Sequence, residues 1–446
     1  MTAPDSAEAT ALTWVDAAAI GATASATSDE YQPLFAGARL RPAISRPSVL
    51  APIGILLTLA GAYTGTTLLW PLYEVAPTVK AVEYAATPAP AASLTWPGQG
   101  SAAVGVEGIG TVASSAEPTE IASISKVVSA LMVLERMPLA LGEQGPSFSF
   151  TWADSETYYW YLRNDQSALD VPVGGSLTEY QMLQGVLLGS ANNYIDRLVE
   201  EIWGSDAAFA TAAATWLRDH GITGVTIKSP SGFDERNVAT PASLIAIAEK
   251  AMQNPVFAEI VRTPSVDLPG AGTVTNTNGM LADAGVVGIK TGTLYESWNL
   301  LTAKDVTVGD TTVRLYACVL DQADDDMRLA STRSLFAEIE AALTTQVPVV
   351  PEGTVVGTVE AEWGASAELV TDADAEVVLW NGGSATTAIE FDVGEKRKAG
   401  AEVGTLTTTG PLNAATTTLS LTSTIEDPSA WWRLTHPLEL FGLTAE

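Results

Sequence analysis

Cysteine is nearly absent. Cys318 is the only one in 446 residues, so no intramolecular disulfide can form. It lies in the mostly apolar run Val313–Leu320, where a buried strand thiol is expected rather than a nucleophile. Histidine is almost as scarce: His220 and His436 are the only two. That leaves too few ligands for a Cys/His metal site and argues against a Ser-His-Asp triad. His220, just before Gly221, reads as a cation-capable residue near a helix C-terminus. Cations are few as well, with 22 Lys and Arg against 52 Asp and Glu and a formal net charge of −30. A chain so poor in clustered cations is not built to neutralise phosphates, which argues against nucleic acid as a partner. Apolar residues make up 47%, too many for a disordered chain, and the length allows two or three domains.

One long stretch, Pro47 to Tyr73, carries no charge and lies between Arg46 and Glu74. Its core Val49–Trp70 is long enough, at about 1.5 Å per residue, to cross about 30 Å of hydrocarbon. Trp70 and Tyr73 suit a membrane interface. Arg39, Arg41 and Arg46 precede the stretch, whereas only Lys80 follows closely, beside Glu74 and Glu83. The positive-inside rule then makes 1–48 a mobile cytoplasmic tail and 49–72 a single transmembrane helix, with the rest extracytoplasmic. The long tail before the apolar run favours an uncleaved anchor over a signal peptide.

Residues 73–91 read as a linker, with Pro77, Pro88 and Pro90 among alanines. From 92 to 346 a mixed α/β pattern is expected. Ser101–Glu107 and Ile109–Ser114 form a hairpin, and helices cover Ser123–Met137, Thr178–Leu188, Asn192–Trp203 and Asp206–Asp219. Thr240-Pro241 opens a further helix as N-cap and first turn. Strands Val286–Thr291, Trp298–Thr302 and Thr311–Leu320 precede a closing helix Asp324–Leu343. Beyond Val347-Pro348 and Val350-Pro351 the chain turns β-branched and turn-rich. Residues 350–446 read as an all-β, sandwich-like module of short strands, Glu376–Trp380 among them. An aromatic tail, expected to pack on the protein, ends the chain.

A serine enzyme without a suitable histidine needs lysine as its proton acceptor. Only Lys126 has a serine three residues before it, in Ser123-Ile124-Ser125-Lys126, and positions i and i+3 share a helix face. Ser123 would stand at a helix N-terminus, where free N–H groups favour developing negative charge. A neutral Lys126 could take its proton directly, given a low-dielectric site or a second cation nearby. Lys290-Thr291-Gly292-Thr293, at the end of an apolar strand, can supply that cation. It also offers a hydroxyl for a substrate carboxylate, a close backbone approach at Gly292, and a Thr293 N–H for an oxyanion hole. Ser190-Ala191-Asn192 is the third element: a hydroxyl to relay protons and an amide to hold Lys126. Ser297-Trp298-Asn299 matches the same weak pattern but begins a strand, where packing is expected.

The three elements in this order are the set found in penicillin-binding proteins and class A β-lactamases. Residues from about Ala92 to Leu343 resemble the low-molecular-mass penicillin-binding proteins, the serine-type D-alanyl-D-alanine carboxypeptidases. The likeness extends through Ala122–Leu131, Leu187–Asn192, Ser229–Asp234 and Gly288–Thr293. It implies a β-lactamase/transpeptidase-like catalytic domain with an antiparallel sheet and a helical subdomain. It further implies Ser123 as nucleophile, Lys126 as base, and Ser190 with Asn192 in proton transfer. Lys290, Thr291, Gly292 and Thr293 would bind substrate, with Arg328 near its carboxylate. The expected reaction removes the terminal D-alanine from peptidoglycan stem pentapeptides, needs no cofactor or metal, and is inhibited by β-lactams. The pattern departs from the family at Asn193, where relatives often have Asp. Two rivals share the fold. A class A β-lactamase needs a Glu-x-x-x-Asn stretch, and no glutamate between Ser190 and Lys290 has it. The other is a non-catalytic wall-binding protein, against which the intact Ser123, Lys126 and Lys290 speak.

Overall fold

A computed structural model of the chain describes residues 46–443. The cytoplasmic tail expected at 1–48 therefore falls almost wholly outside the described residues. Pro47–Leu69 is a single helix, α1, with proline in its first turn and no charged side chain along its length. Its apolar residues face outward all round, Leu56, Leu57 and Leu59 each more than 60% exposed. A helix apolar on every side has no polar face to turn to water, and this one is long and apolar enough to cross a membrane.

The helices that follow are α2 (Ser125–Arg136), α3 (Trp152–Arg163), α4 (Glu179–Leu187), α5 (Asn192–Trp203), α6 (Asp206–Asp219), α7 (Pro241–Met252), α8 (Pro255–Arg262) and α9 (Asp325–Thr344). Caps set several of their starts. Thr178 and Gln181 form a reciprocal capping box on α4, Thr240 caps α7 beside its N1 proline, and Asp324 caps α9. His220 is the C-cap of α6, with Nδ1 2.8 Å from the Trp216 carbonyl and Nε2 3.4 Å from Glu135. That is the helix-end role expected of it.

A five-stranded antiparallel sheet organises this region, in the order Val286–Leu294, Ser297–Val308, Thr311–Gln322, Ser101–Val106, Gly110–Ala113. Alternation along the strands divides the core. Ala103, Cys318 and Leu320 join α2, α4, α5, α7 and α8 on one face, while Ala102, Val104 and Val319 pack against Leu335, Phe336 and Ile339 of α9 on the other. Both faces are thus covered, which explains why every residue of Ser101–Val106 is buried. Cys318 is a buried free thiol, as expected of a strand interior.

The carboxy-terminal region differs from the expected sandwich. Its strands form one six-stranded antiparallel sheet, in the order Thr78–Ala81, Val355–Glu360, Ser366–Thr371, Ala414–Leu421, Glu402–Thr409, Thr386–Phe391. The first strand comes from the segment read as a linker, and Tyr84, Ala86 and Ala89 continue as a strap packed on the module's core. Glu376–Trp380 is not a strand. Ala375 makes an isolated bridge with Val350, and Val377 and Leu379 add their side chains to the same core. Strap and irregular segment help cover the one apolar face, so no second sheet is needed. The tail forms two short helices, α10 (Ala430–Thr435) and α11 (Pro437–Leu440), docked on the carboxy-terminal end of α1. Tyr63 Oη donates to the Leu434 carbonyl at 2.6 Å, Arg433 Nη1 to the Trp70 carbonyl at 2.7 Å, and Trp70 meets Phe441 edge-on at 4.8 Å.

Candidate active site

The nucleophile candidate stands where sequence places it, at the mouth of α2. A 3-10 turn, Ala122–Ile124, precedes the helix and starts from Ala122 in the left-handed region at φ 47°. An L-residue rarely sits there, and the strain aims the following Ser123 out of the helix end. Lys126 is fully buried. Its Nζ lies 2.8 Å from Ser123 Oγ, 2.6 Å from Asn192 Oδ1 and 2.6 Å from the Ser231 carbonyl. Two of these partners can only accept. Once Lys126 is neutral, its two remaining protons go to Asn192 and Ser231, and its lone pair is left facing Ser123 Oγ–H. Burial pulls the Lys126 pKa down to about 7, against the nearby Asp196 carboxylate, which favours the charged form. A neutral amine is therefore available near physiological pH, and the arrangement can deprotonate Ser123.

The Lys290 strand packs directly against this helix mouth. A Cβ placed on Gly292 would sit 2.6 Å from the Ile121 carbonyl oxygen and 3.3 Å from Ala122 Cβ. Only glycine lets the two backbones approach so closely. Gly292→Ala is expected to push the strand away from the Ser123 turn and slow acylation at least about tenfold, since displacements of about 1 Å can cost 10²-fold. A penicillin-labelling time course on the variant checks it, and an unchanged rate would show that the approach is not needed. Lys290 and Thr291 are both buried. Thr291 Oγ1 is paired with Thr277 Oγ1 at 2.6 Å and lies 3.5 Å from Lys290 Nζ. Burial, then repulsion from Lys126 and Arg328, holds the Lys290 pKa well below the usual lysine range. For Lys126 itself, burial is the main depressing influence rather than a second cation.

Ser190 lies in the short connection from α4 to α5, buried and left-handed at φ 59°. Asn192, the first residue of α5, accepts from Lys126 while its Nδ2 donates to Gln166 Oε1 at 2.8 Å. Asn193, the family departure, has its own function in the fold. Its amide accepts from Leu169 N at 3.1 Å and donates to Leu169 O at 2.7 Å. An aspartate could make the first of these bonds but not the second. Arg328 is neither solvated nor free. It is 4% exposed, stacked over Trp298 at 4.9 Å and tied by Nη1 to the Gly292 carbonyl, Thr293 Oγ1 and the Asn299 carbonyl. These bonds brace the end of the Lys290 strand.

Several contributors carry no motif. Ser231 enters only through its carbonyl, which any residue possesses, although Ser229–Asp234 stands out as matching text. The buried Asn237 fastens that loop by donating to Ser125 Oγ at 3.0 Å and Ser229 O at 2.8 Å. Gln166 and Tyr161 approach from the α3 side, which the periodicity leaves unassigned. Among the described residues no group of three or more His, Cys, Asp or Glu could hold a metal ion.

Comparison with known proteins agrees with this geometry. Residues 111–324 match the model of the D-alanyl-D-alanine carboxypeptidase family. A curated relative, the D-alanyl-D-alanine carboxypeptidase DacB2 of Mycobacterium tuberculosis, is 34% identical over 135 residues. That match covers 28% of this chain and 45% of the relative, so the chain spans about half the length of the curated relative it matches. Among solved structures, a peptidoglycan synthesis regulatory factor (PBP3) from Streptococcus pneumoniae superposes with a TM-score of 0.50 at 22% identity, covering 73% of this chain and 98% of that one. A penicillin-binding protein homologue from Mycobacterium tuberculosis gives a TM-score of 0.48 at 24% identity, over 58% of this chain and 98% of that one. The pneumococcal protein shares the fold, a mixed α/β region with antiparallel sheets. The match to the D-alanyl-D-alanine carboxypeptidase family thus spans residues 111–324, a little under half of the chain.

Proposed function

We propose that the chain is a membrane-anchored serine-type D-Ala-D-Ala carboxypeptidase that removes the terminal D-alanine from peptidoglycan stem pentapeptides. One observation carries the reading: Ser123 Oγ lies 2.8 Å from a fully buried Lys126 Nζ whose other two partners are obligate acceptors. Ser123 attacks the penultimate D-Ala carbonyl as its proton passes to Lys126. The oxyanion is held by the N–H groups of Ser123 and Thr293. Collapse breaks the amide bond, and Ser190, held near Asn192, relays the proton taken up by Lys126 to the departing D-alanine amine, which leaves Ser190 protonated and Lys126 neutral again. Water then hydrolyses the Ser123 ester. Lys290 and Thr291 receive the substrate carboxylate, while Arg328 and Gly292 hold their strand in place. β-Lactams enter by the same route and leave a covalent adduct, because their strained amide mimics the D-Ala-D-Ala terminus.

Incubating the chain with a fluorescent penicillin and with a pentapeptide ending in D-Ala-D-Ala tests this reading. A covalent adduct and release of one D-alanine per peptide are expected. Absence of both would overturn the proposal, and rapid turnover of penicillin without a lasting adduct would favour a β-lactamase.

The anchor is α1, with the amino terminus cytoplasmic and the catalytic region outside. Its apolar length of 23 residues supports a span, and the arginines that precede it support the orientation. Trp70, Tyr73 and Trp431 are exposed there, as side chains at a headgroup boundary are. The chain is expected to stay in the membrane fraction through a high-salt or carbonate wash, and release by salt would argue against a span.

A further inference from the structure

Asp196 is a half-buried acid, one of its oxygens sealed from solvent, that the mechanism above leaves unused. It sits one turn after Asn192 on α5, and residues four apart share a face, so it lies behind the amide that accepts from Lys126. Tyr161 Oη, from α3, donates to Asp196 Oδ2 at 2.6 Å. Oδ1 is sealed from solvent and has no hydrogen-bond partner. Fixing α3 to α5 through Tyr161 needs only an acceptor, which an asparagine would provide without burying a charge. A carboxylate with one orphaned oxygen is an expensive choice for that purpose. What the charge adds is a counter-ion for the one buried cation it faces, Lys126.

We propose that Asp196, clamped by Tyr161, is a positioning residue whose negative charge behind Lys126 sets the proton affinity of the general base. The proposal rests on the reading of Lys126 as the base for Ser123. Burial strips hydration from Lys126, which left alone would make its amine too weakly basic to draw a proton from a serine. Asp196 opposes that loss. Other charges bear on the pair. Asp206 of α6 disfavours ionisation of Asp196, Glu200 acts on Tyr161, and Lys290 and Lys126 repel one another. Burial lifts the Asp196 pKa to about 6, with Tyr161 and Lys126 pulling the other way, so the acid is ionised over the range in which the base works. On the same helix face Glu200 lies one further turn along and is exposed, whereas Asp196 stands one turn from Asn192 with Oδ1 sealed from solvent.

The test is the pH dependence of penicillin acylation, followed on the full chain from about pH 5 to 9, with melting temperature measured in parallel. Asp196→Asn keeps the acceptor for Tyr161 and removes the charge. Its acid limb is expected to move to lower pH by about one unit, the scale of shift an opposite charge produces. Its plateau rate should fall several-fold, as for a weaker base. Should that variant fail to fold, Tyr161→Phe keeps the carboxylate and removes the bond that favours its charged form. Its limb should move in the same direction by less. Profiles that superimpose on the parent in whichever variant folds would overturn the proposal while leaving the Ser123–Lys126 reading intact. A parent chain that takes no label at all would overturn both.

Discussion

Ser123→Ala is expected to abolish both penicillin labelling and D-alanine release, a loss of at least about 10⁴-fold, as removal of a serine nucleophile does elsewhere. The fold should survive. Ser123 is partly exposed, and its side chain makes one hydrogen bond, to Lys126. Deleting that oxygen leaves Lys126 with Asn192 and Ser231 as partners, so no buried acceptor is stranded. The melting temperature should accordingly stay within a few degrees of the parent. The measurement is paired: intact-mass spectrometry after incubation with penicillin, and a thermal melt of the same sample. A variant that still takes one equivalent of label on another residue would move the nucleophile elsewhere. Ser125 and Ser190 would be the next to test, although Ser125 Oγ is already committed to the Ala122 carbonyl.

Much of this site was legible because its chemistry depends on local spacing. Ser123 and Lys126 are one helical turn apart, and the Lys290–Thr293 text ends a run of apolar residues, so each element announces its own geometry. The meeting of the two could not be read. It depends on Gly292 lying against the Ile121 carbonyl across some 170 residues of chain, a close approach on which spacing is silent. Arg328 illustrates a different gap. The resemblance places it near the substrate carboxylate, and spacing is silent on its burial and on its bonds to Asp325, Thr293 Oγ1 and the Gly292 and Asn299 carbonyls. Asn193 reads as a defect in a motif until Leu169 is seen to need both a donor and an acceptor.

The peripheral elements were misread for a related reason. Thr78–Ala81 lies in a proline-punctuated stretch, and four residues carry too little periodicity to announce a strand. Its partner Val355–Glu360 supplies the hydrogen bonds that make it one. Helix α3 is similar. Only Ser155 is fully buried on it, and Trp152, Tyr159 and Trp160 stay exposed, so no apolar stripe marks it as a helix. It is held by its capping box at Thr151 and Asp154 and by Tyr161, which ties it to α5.

The proposed general base yields the second large effect. Lys126→Ala is expected to slow acylation by about 10²- to 10⁴-fold, the usual worth of a positioned proton acceptor. It would also leave Asn192 Oδ1 and the Ser231 carbonyl without their donor inside the protein, at a cost of about 1–3 kcal/mol for each unsatisfied group. A fall in melting temperature is therefore expected as well, and it would cloud the kinetic result taken alone. Lys126→Arg separates the two, provided the larger side chain is accommodated, because guanidinium keeps donors for those acceptors but does not lose its proton in this pH range. If Lys126 acts as a base, the arginine variant should be as slow as the alanine variant while melting closer to the parent. The pH profile fixes the sign. With a Lys126 pKa of about 7, the active form is the neutral amine, so the parent rate should rise as pH climbs through 7. Neither variant should retain that inflection. An arginine variant that acylates at the parent rate would reduce Lys126 to a structural cation, and the proton of Ser123 would need another acceptor.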